Sequence, residues 1–352
     1  MRPGQSQRYA RQIQLPEIGE AGQQRLADSS CLVVGTGGLG SPALHHLVAS
    51  GVGRVGFVEF DDVDITNLHR QTLFSTRDIG RPKSDAALDR LQAVNPEVTV
   101  VSHPKRLGVG NADALLAGYD VVVDGSDTFA TRYVVNDAAV RTGTPDVFAS
   151  VGPFSGQASI FAAAGGPCYR CLFPEPPPPG LIPNCADGGV LGVVPSLFGT
   201  IQASEVLKLL LGIGDPLIGR LLMIDLLAVE VREIGIDRDP QCPACGLGRL
   251  PPTVEAGEIS PREVRARMAS GGLQLLDVRE SEERSEGHIG GTHIPLGLLE
   301  ARLFELEKLK SEEVVVYCKA GGRSAQAARL LAEQGHRVLS LRGGLDAFRR
   351  LP

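Results

Sequence analysis

The sequence has no Lys/Arg-rich block and no basic stripe, and its formal net charge is -6. That argues against nucleic acid as its main partner. It has no run of 18 apolar residues free of charge, so no spanning helix and no membrane partner are expected. Residues 1–13 are polar and lack the apolar core of a secretory signal. Cysteine is sparse: there are seven, an odd number, and four of them lie in two Cys-x-x-Cys pairs. Such a pattern suits metal and thiol chemistry in a reducing compartment better than a disulfide framework, so a cytoplasmic location is expected. The one biased run is the prolines of residues 176–179, which read as a stiff extended loop.

A length of 352 residues suggests about two domains. Hydrophobic residues make up 43% and charged residues 22%, enough for an ordinary core. From Thr253 onward there are 15 acidic and 15 basic residues, so the acidic excess lies entirely in the first 252.

Cys31-Leu32-Val33-Val34-Gly35 reads as a buried parallel strand ending in glycine. Gly35, Gly37, Gly38 and Gly40 form the turn that follows. A helical run with Pro42 in its first turn comes next, then a second apolar strand ending at Glu59. Strand, glycine turn, helix, strand and acid form the dinucleotide-fold fingerprint. The turn brings backbone N–H groups to phosphates, and the acid takes ribose hydroxyls. Further on, a strand over residues 119–124 delivers Asp127 and Thr128 to the carboxyl edge of the sheet. Between these lie Thr66, Asn67, Arg70 and Lys83. Cations stabilise a transferring phosphoryl group and an Asp holds its Mg²⁺; hydride transfer needs neither.

Cys168, Cys171, Cys242 and Cys245 supply two knuckles for one tetrahedral, closed, structural Zn²⁺ site. Cys31 starts a core strand and reads as packing. Residues 196–211 carry apolar side chains at helical spacing, as in a core or dimer helix.

Residues 249–257 read as a linker between a first domain, 1–248, and a second, 258–352. In the second, Ser260-Pro261-Arg262-Glu263 starts a helix. A strand delivers Cys318 into Cys318-Lys319-Ala320-Gly321-Gly322-Arg323-Ser324, and a helix follows. Glycines there let N–H groups converge on the sulfur and favour a persulfide anion, with Arg323 adding charge. His288 reads as structural.

Arg8-Tyr9-Ala10-Arg11-Gln12-Ile13, the glycine turn, Asn67-Leu68-His69-Arg70-Gln71, Asn95-Pro96 and Cys168-Tyr169-Arg170-Cys171 occur in this order. In this the chain resembles the MoeB/ThiF branch of E1-like activating enzymes over about residues 5–246. The last hundred residues resemble a single rhodanese domain: Leu276-Asp277-Val278-Arg279-Glu280, Gly287-His288-Ile289-Gly290-Gly291, Gly343-Gly344 and a cysteine loop with four residues between Cys318 and Arg323. Related phosphatase loops have five.

The resemblance implies a Rossmann-like, doubly wound α/β adenylation domain followed by a small α/β rhodanese domain. It implies ATP with Mg²⁺: Gly38 and Glu59 at the adenosine, Asn67, Arg70 and Lys83 at the phosphates, Asp127 at the metal. Arg11 would reach the phosphates of a neighbouring subunit, hence a homodimer. Cys185, on a crossover loop, aligns with an acyl-handling cysteine. The family usually has Asp at the position of Glu59, and places Arg and Glu within the segment 151–157, where this chain has neither.

The function expected is adenylation of the Gly-Gly carboxylate of a small ubiquitin-like sulfur carrier of the MoaD/ThiS kind. Cys318 then transfers persulfide sulfur to form a thiocarboxylate for molybdopterin, tRNA thiolation or a related pathway. The sulfur donor would be a cysteine desulfurase or thiosulfate. Competing readings are conjugation through a Cys185 thioester, an NAD-dependent oxidoreductase with an accessory rhodanese, and a non-catalytic scaffold.

Overall fold

The computed structural model describes residues 5–176, 189–249, 257–271, 273–310 and 312–351. They fall into two compact units, one of residues 5–176 and 189–249, the other of residues 257–351.

The first unit is an eight-stranded sheet in the order β3-β2-β1-β4-β5-β6-β7-β8. β1 (Ser30–Val34), β2 (Arg54–Val58), β3 (Thr99–His103), β4 (Val121–Asp124) and β5 (Asp146–Val151) are mutually parallel. β6 (Ser155–Phe161), β7 (Arg220–Asp225) and β8 (Glu230–Gly235) extend it antiparallel. β1 is buried at all five positions and alternates between two cores. Cys31 and Val33 join the cluster built with α1 (Gly40–Ala49), α2 (Lys83–Val94) and α4 (Val193–Leu211); Leu32 and Val34 join that of α3 (Phe129–Thr142). Period-two alternation with helices on both faces is what a parallel sheet requires.

The chain reverses direction across the sheet between β1 and β4, so the loops leaving their carboxyl ends face one crevice. Backbone contact closes that crevice floor. A Cβ on Gly40 would lie 1.9 Å from the Gly35 oxygen, and one on Gly125 would lie 2.8 Å from the Val34 oxygen. Gly35 itself sits at φ +87°, in the left-handed region.

α4 has the length and hydropathy of a membrane-crossing helix. Its Val194, Phe198, Ala203 and Val206 are instead buried in the core of this unit. It also anchors the crevice: Gln202 donates from Nε2 to the carbonyls of Asp124 and Val147, each at 2.8 Å.

The second unit is a parallel sheet in the order β11-β10-β12-β13-β9. Its strands are β9 (Gly257–Ile259), β10 (Gln274–Asp277), β11 (Thr292–His293), β12 (Glu313–Tyr317) and β13 (Arg337–Leu341). Ser260 caps α5 (Pro261–Ser270) by accepting from the Glu263 N–H, with Pro261 in the first turn. Val314, Val316 and Cys318 face α6 (Gly322–Glu333), while Val315 and Tyr317 face α5 and α7 (Gly344–Arg349).

Gly40→Ala is expected to cost about 3 kcal/mol or more, because backbone must move to admit the methyl group. Gly110→Ala, where nothing lies within 4 Å of an added Cβ, is the control. Urea unfolding of the whole chain checks this; equal stabilities would contradict it.

Candidate functional site

The glycine turn and the cations meet in the first unit. The open side of Gly38 faces Arg70: a Cβ there would lie 3.6 Å from Arg70 Cγ and 2.9 Å from Pro195 Cβ. The Arg70 guanidinium folds back on its own turn, donating to the Thr66 carbonyl at 2.9 Å. That turn is fixed by Asp64, which accepts from the Thr66 N–H and hydroxyl at 2.8 and 2.6 Å, while Asn67 Oδ1 accepts from the Asp64 N–H. Lys83 opens α2 and is buried, with its Nζ 3.6 Å from Asp61.

Glu59, expected at a ribose, is turned into its own loop. One oxygen accepts from the Thr36 N–H and hydroxyl, the other from the N–H groups of Phe60 and Asp61. Burial raises its pKa, but the Lys83 charge and these bonds outweigh burial, and the net shift is downward. The carboxylate thus ties the glycine turn to the end of β2. Asp127 is exposed on the loop after β4, and Thr128 caps α3 by accepting from the Thr131 N–H. Arg11 is exposed on its helix. Tyr9 and Asn95 prove structural: the Asn95 amide donates to the Tyr9 hydroxyl at 2.8 Å and to the Val48 carbonyl at 2.9 Å.

Behind Asp127 lies a polar cluster with no local signature in the sequence. Asp124 and Asp146 are both buried, next to Arg132. Burial pushes both carboxyls upward, and the charge of Asp124 pushes Asp146 further.

Cys168, Cys171, Cys242 and Cys245 converge, with all four sulfurs within 4.8 Å of one another. Cys168–Cys242 and Cys171–Cys245 separations are 3.5 and 3.4 Å, and Cys168–Cys171 is 4.0 Å. A tetrahedral zinc with Zn–S near 2.3 Å places its sulfurs about 3.8 Å apart, so the set fits zinc and is far too open for disulfides. Burial pushes the Cys168 thiol up; four clustered thiolates need a cation. Arg170, inside the first knuckle, docks it on α3 through a buried bidentate pair with Asp137 at 2.7 and 2.8 Å. Cys31 is buried, its thiol pushed up to about 12 by burial and by Asp120. Cys185 lies outside the described residues.

In the second unit Cys318 is buried at the end of β12. Its sulfur accepts from the Gly321 N–H at 3.1 Å and lies 3.6 Å from the buried Ser324 hydroxyl. Gly321 adopts φ +100°. The late Gly343-Gly344 pair clamps this loop: Leu345 and Asp346 N–H groups donate to the Cys318 and Lys319 carbonyls at 2.8 and 3.0 Å. Arg323, expected to close the ring around sulfur, gives both Nη groups to Glu283 at 2.6 Å each. That bond, chiefly, holds the Glu283 carboxyl down at about 2. The shift is downward, so the pair persists above the ordinary carboxylate range and weakens only as pH falls toward about 2. Asp277 and Arg279 form a buried ion pair, and His288 Nδ1 accepts from the Gly290 N–H, a local structural bond.

A model of the ThiF family matches residues 9–244, and one of the rhodanese-like domain matches residues 260–351. The chain belongs to the ThiF family. It is 54% identical over 244 residues to a "Sulfur carrier protein adenylyltransferase" of Thermus thermophilus, covering 68% of this chain and 90% of that one. It is 42% identical over 360 residues to "Probable adenylyltransferase/sulfurtransferase MoeZ" of Mycobacterium tuberculosis, covering 97% and 92%. With "Adenylyltransferase and sulfurtransferase MOCS3" of Mus musculus it shares 40% over 364 residues, covering 92% and 79%. The crystal structure of E. coli MccB with MccA-N7isoASN has the same fold in the first unit: TM-score 0.61 at 22% identity, covering 68% of this chain and 74% of that one. This member of the ThiF family is thus an enzyme, an adenylyltransferase joined to a sulfurtransferase.

Asp137→Ala would leave Arg170 buried and unpaired, at an expected cost of about 3–5 kcal/mol. Chemical denaturation measures it; a change under about 1 kcal/mol would show that the knuckle docks by other means.

Proposed function

We propose that the chain adenylates the C-terminal Gly-Gly carboxylate of a small ubiquitin-like sulfur carrier and then converts it to a thiocarboxylate. The observation that carries the reading is the packing of the Arg70 side chain against Gly38, which brings a basic residue to the glycine turn that leads into α1, its guanidinium resting on the Thr66 carbonyl of its own turn. A nucleotide's phosphates need that combination. The name of the Thermus relative points to the same class of substrate.

In this reading Gly35, Gly37, Gly38, Gly40, Thr66, Asn67, Arg70, Lys83 and Thr128 receive ATP. Glu59 gives up one of its loop donors for a ribose hydroxyl. Asp127 would hold Mg²⁺, which would supply charge neutralisation at the nucleotide's phosphates. A carboxylate oxygen of the carrier attacks the α-phosphorus and pyrophosphate leaves. The Cys318 persulfide attacks the resulting acyl carbon and AMP leaves. Cys185 then attacks Cys318 Sγ, releasing the thiocarboxylate and leaving a disulfide that an external thiol reduces.

Arg11 acts across a homodimer, and the carrier docks on the antiparallel end of the sheet. Supporting this, Val229 and Val231 are 77% and 64% exposed there. A groove of about 410 Å³, bordered by Gly156, Gln157, Met223, Asp225 and Arg232, lies on the same sheet. It includes part of the segment 151–157, in which this chain lacks the family's charged pair. The four cysteines hold a structural zinc, and the free thiols fit a reducing cytoplasm.

ATP–pyrophosphate exchange should require a carrier with an intact Gly-Gly end, and Lys83→Ala should slow it about 100-fold. Mass measurement should show sulfur in place of one carrier oxygen, and Cys318→Ala should abolish that exchange of atoms. Exchange supported by free amino acids alone would overturn the reading. Metal analysis should find a single zinc per chain, lost in Cys242→Ser together with thermal stability.

A further inference from the structure

Arg323 is a cation of the Cys318 loop that sits at the start of α6, yet both of its Nη donors are committed to one carboxylate. That carboxylate is itself held in place. Glu283 Oε2 also accepts from the Glu280 N–H at 3.0 Å, and the Glu283 carbonyl accepts from Arg279 at 2.9 Å. Arg279 in turn is fixed by its buried pair with Asp277. Moving the Glu283 carboxylate therefore breaks its bond to the Glu280 N–H as well as its pair with Arg323.

Small sulfur donors and persulfides differ in what they ask of this arginine. Thiosulfate is a dianion whose sulfonate oxygens match the guanidinium fork, so it competes with Glu283 for the same donors and is repelled by its charge. The persulfide group itself carries at most one charge and needs no fork. In both cases the Cys318 thiolate attacks the sulfane sulfur, and its bond to the donor breaks. Sulfite leaves from thiosulfate and a thiolate from a persulfide, with no net oxidation.

We propose that Glu283 is a positioning residue that sets donor specificity. By holding Arg323, it biases the domain against free oxyanion donors such as thiosulfate and toward sulfur delivered as a persulfide on a thiol. The inference rests on the sulfurtransferase reading and names its donor class.

The test is steady-state sulfur transfer to cyanide by the full chain, with thiosulfate or cysteine persulfide as donor. In Glu283→Gln the KM for thiosulfate should fall about fivefold with kcat within about twofold, the scale of a partly exposed ion pair. The persulfide kcat/KM should stay within about twofold. Glu283→Asp, which keeps the charge on a shorter arm, should give a smaller fall and carries the test if Glu283→Gln does not fold. Adding Arg323→Gln should erase the gain. An unchanged or higher thiosulfate KM, or equal changes with both donors, overturns the proposal. A wild-type chain inactive with both donors would instead overturn the sulfurtransferase reading beneath it.

Discussion

The first unit depends on a place where three stretches of backbone touch with no side chain between them. The turn after β1 folds so tightly that Gly40 lies on the Gly35 carbonyl, and the loop after β4 comes down on the same spot through Gly125. That contact brings the carboxyl ends of β1 and β4 together at the reversal of strand order. It also aims the first turn of α1 into the crevice. Glu59 reinforces it from the side by accepting from both Thr36 donors. Arg70 packs against Gly38 from an Asp64-capped turn, and Lys83, at the head of α2, faces Asp61 and Glu59.

The second unit repeats the device at smaller scale. A central parallel strand leads into Cys318, the residue proposed to carry sulfur, a glycine loop turns the chain, and a helix begins. Here too backbone contact fixes the loop: a Cβ on Gly344 would lie 2.6 Å from the Cys318 oxygen. The two sites differ in how their cations are kept. In the first, among the described residues, the Arg70 guanidinium bonds to Thr66 and His69 of its own turn, while Lys83 lies against Asp61. In the second, Arg323 is held by a carboxylate from another element.

Much of this was legible in the sequence because strand–glycine–helix units are local. The β1 turn, the helix after Ser260, the Cys318 loop and the two cysteine knuckles each occupy a few consecutive residues. What escaped were pairings between side chains far apart in the chain. Asp137 with Arg170, Glu283 with Arg323, and Asp124 with Asp146 leave no periodic trace, since any acid or base on a polar face looks the same until the fold is known. A strand-end acid alone suggests a sugar contact at Glu59; the two Thr36 donors that its carboxylate accepts from emerge only once the fold sets the glycine turn beside it. The antiparallel strand β8, exposed at every position, has no apolar alternation by which to find it.

The central claim is that the glycine turn beside Arg70 and Lys83 is a phosphate cradle for ATP. Calorimetric titration of the whole protein with Mg·ATP and, separately, with NADH tests it most directly. The account requires saturable ATP binding that weakens at least tenfold in Arg70→Ala, and no uptake of NADH. Saturable binding of NADH with none of ATP would contradict it.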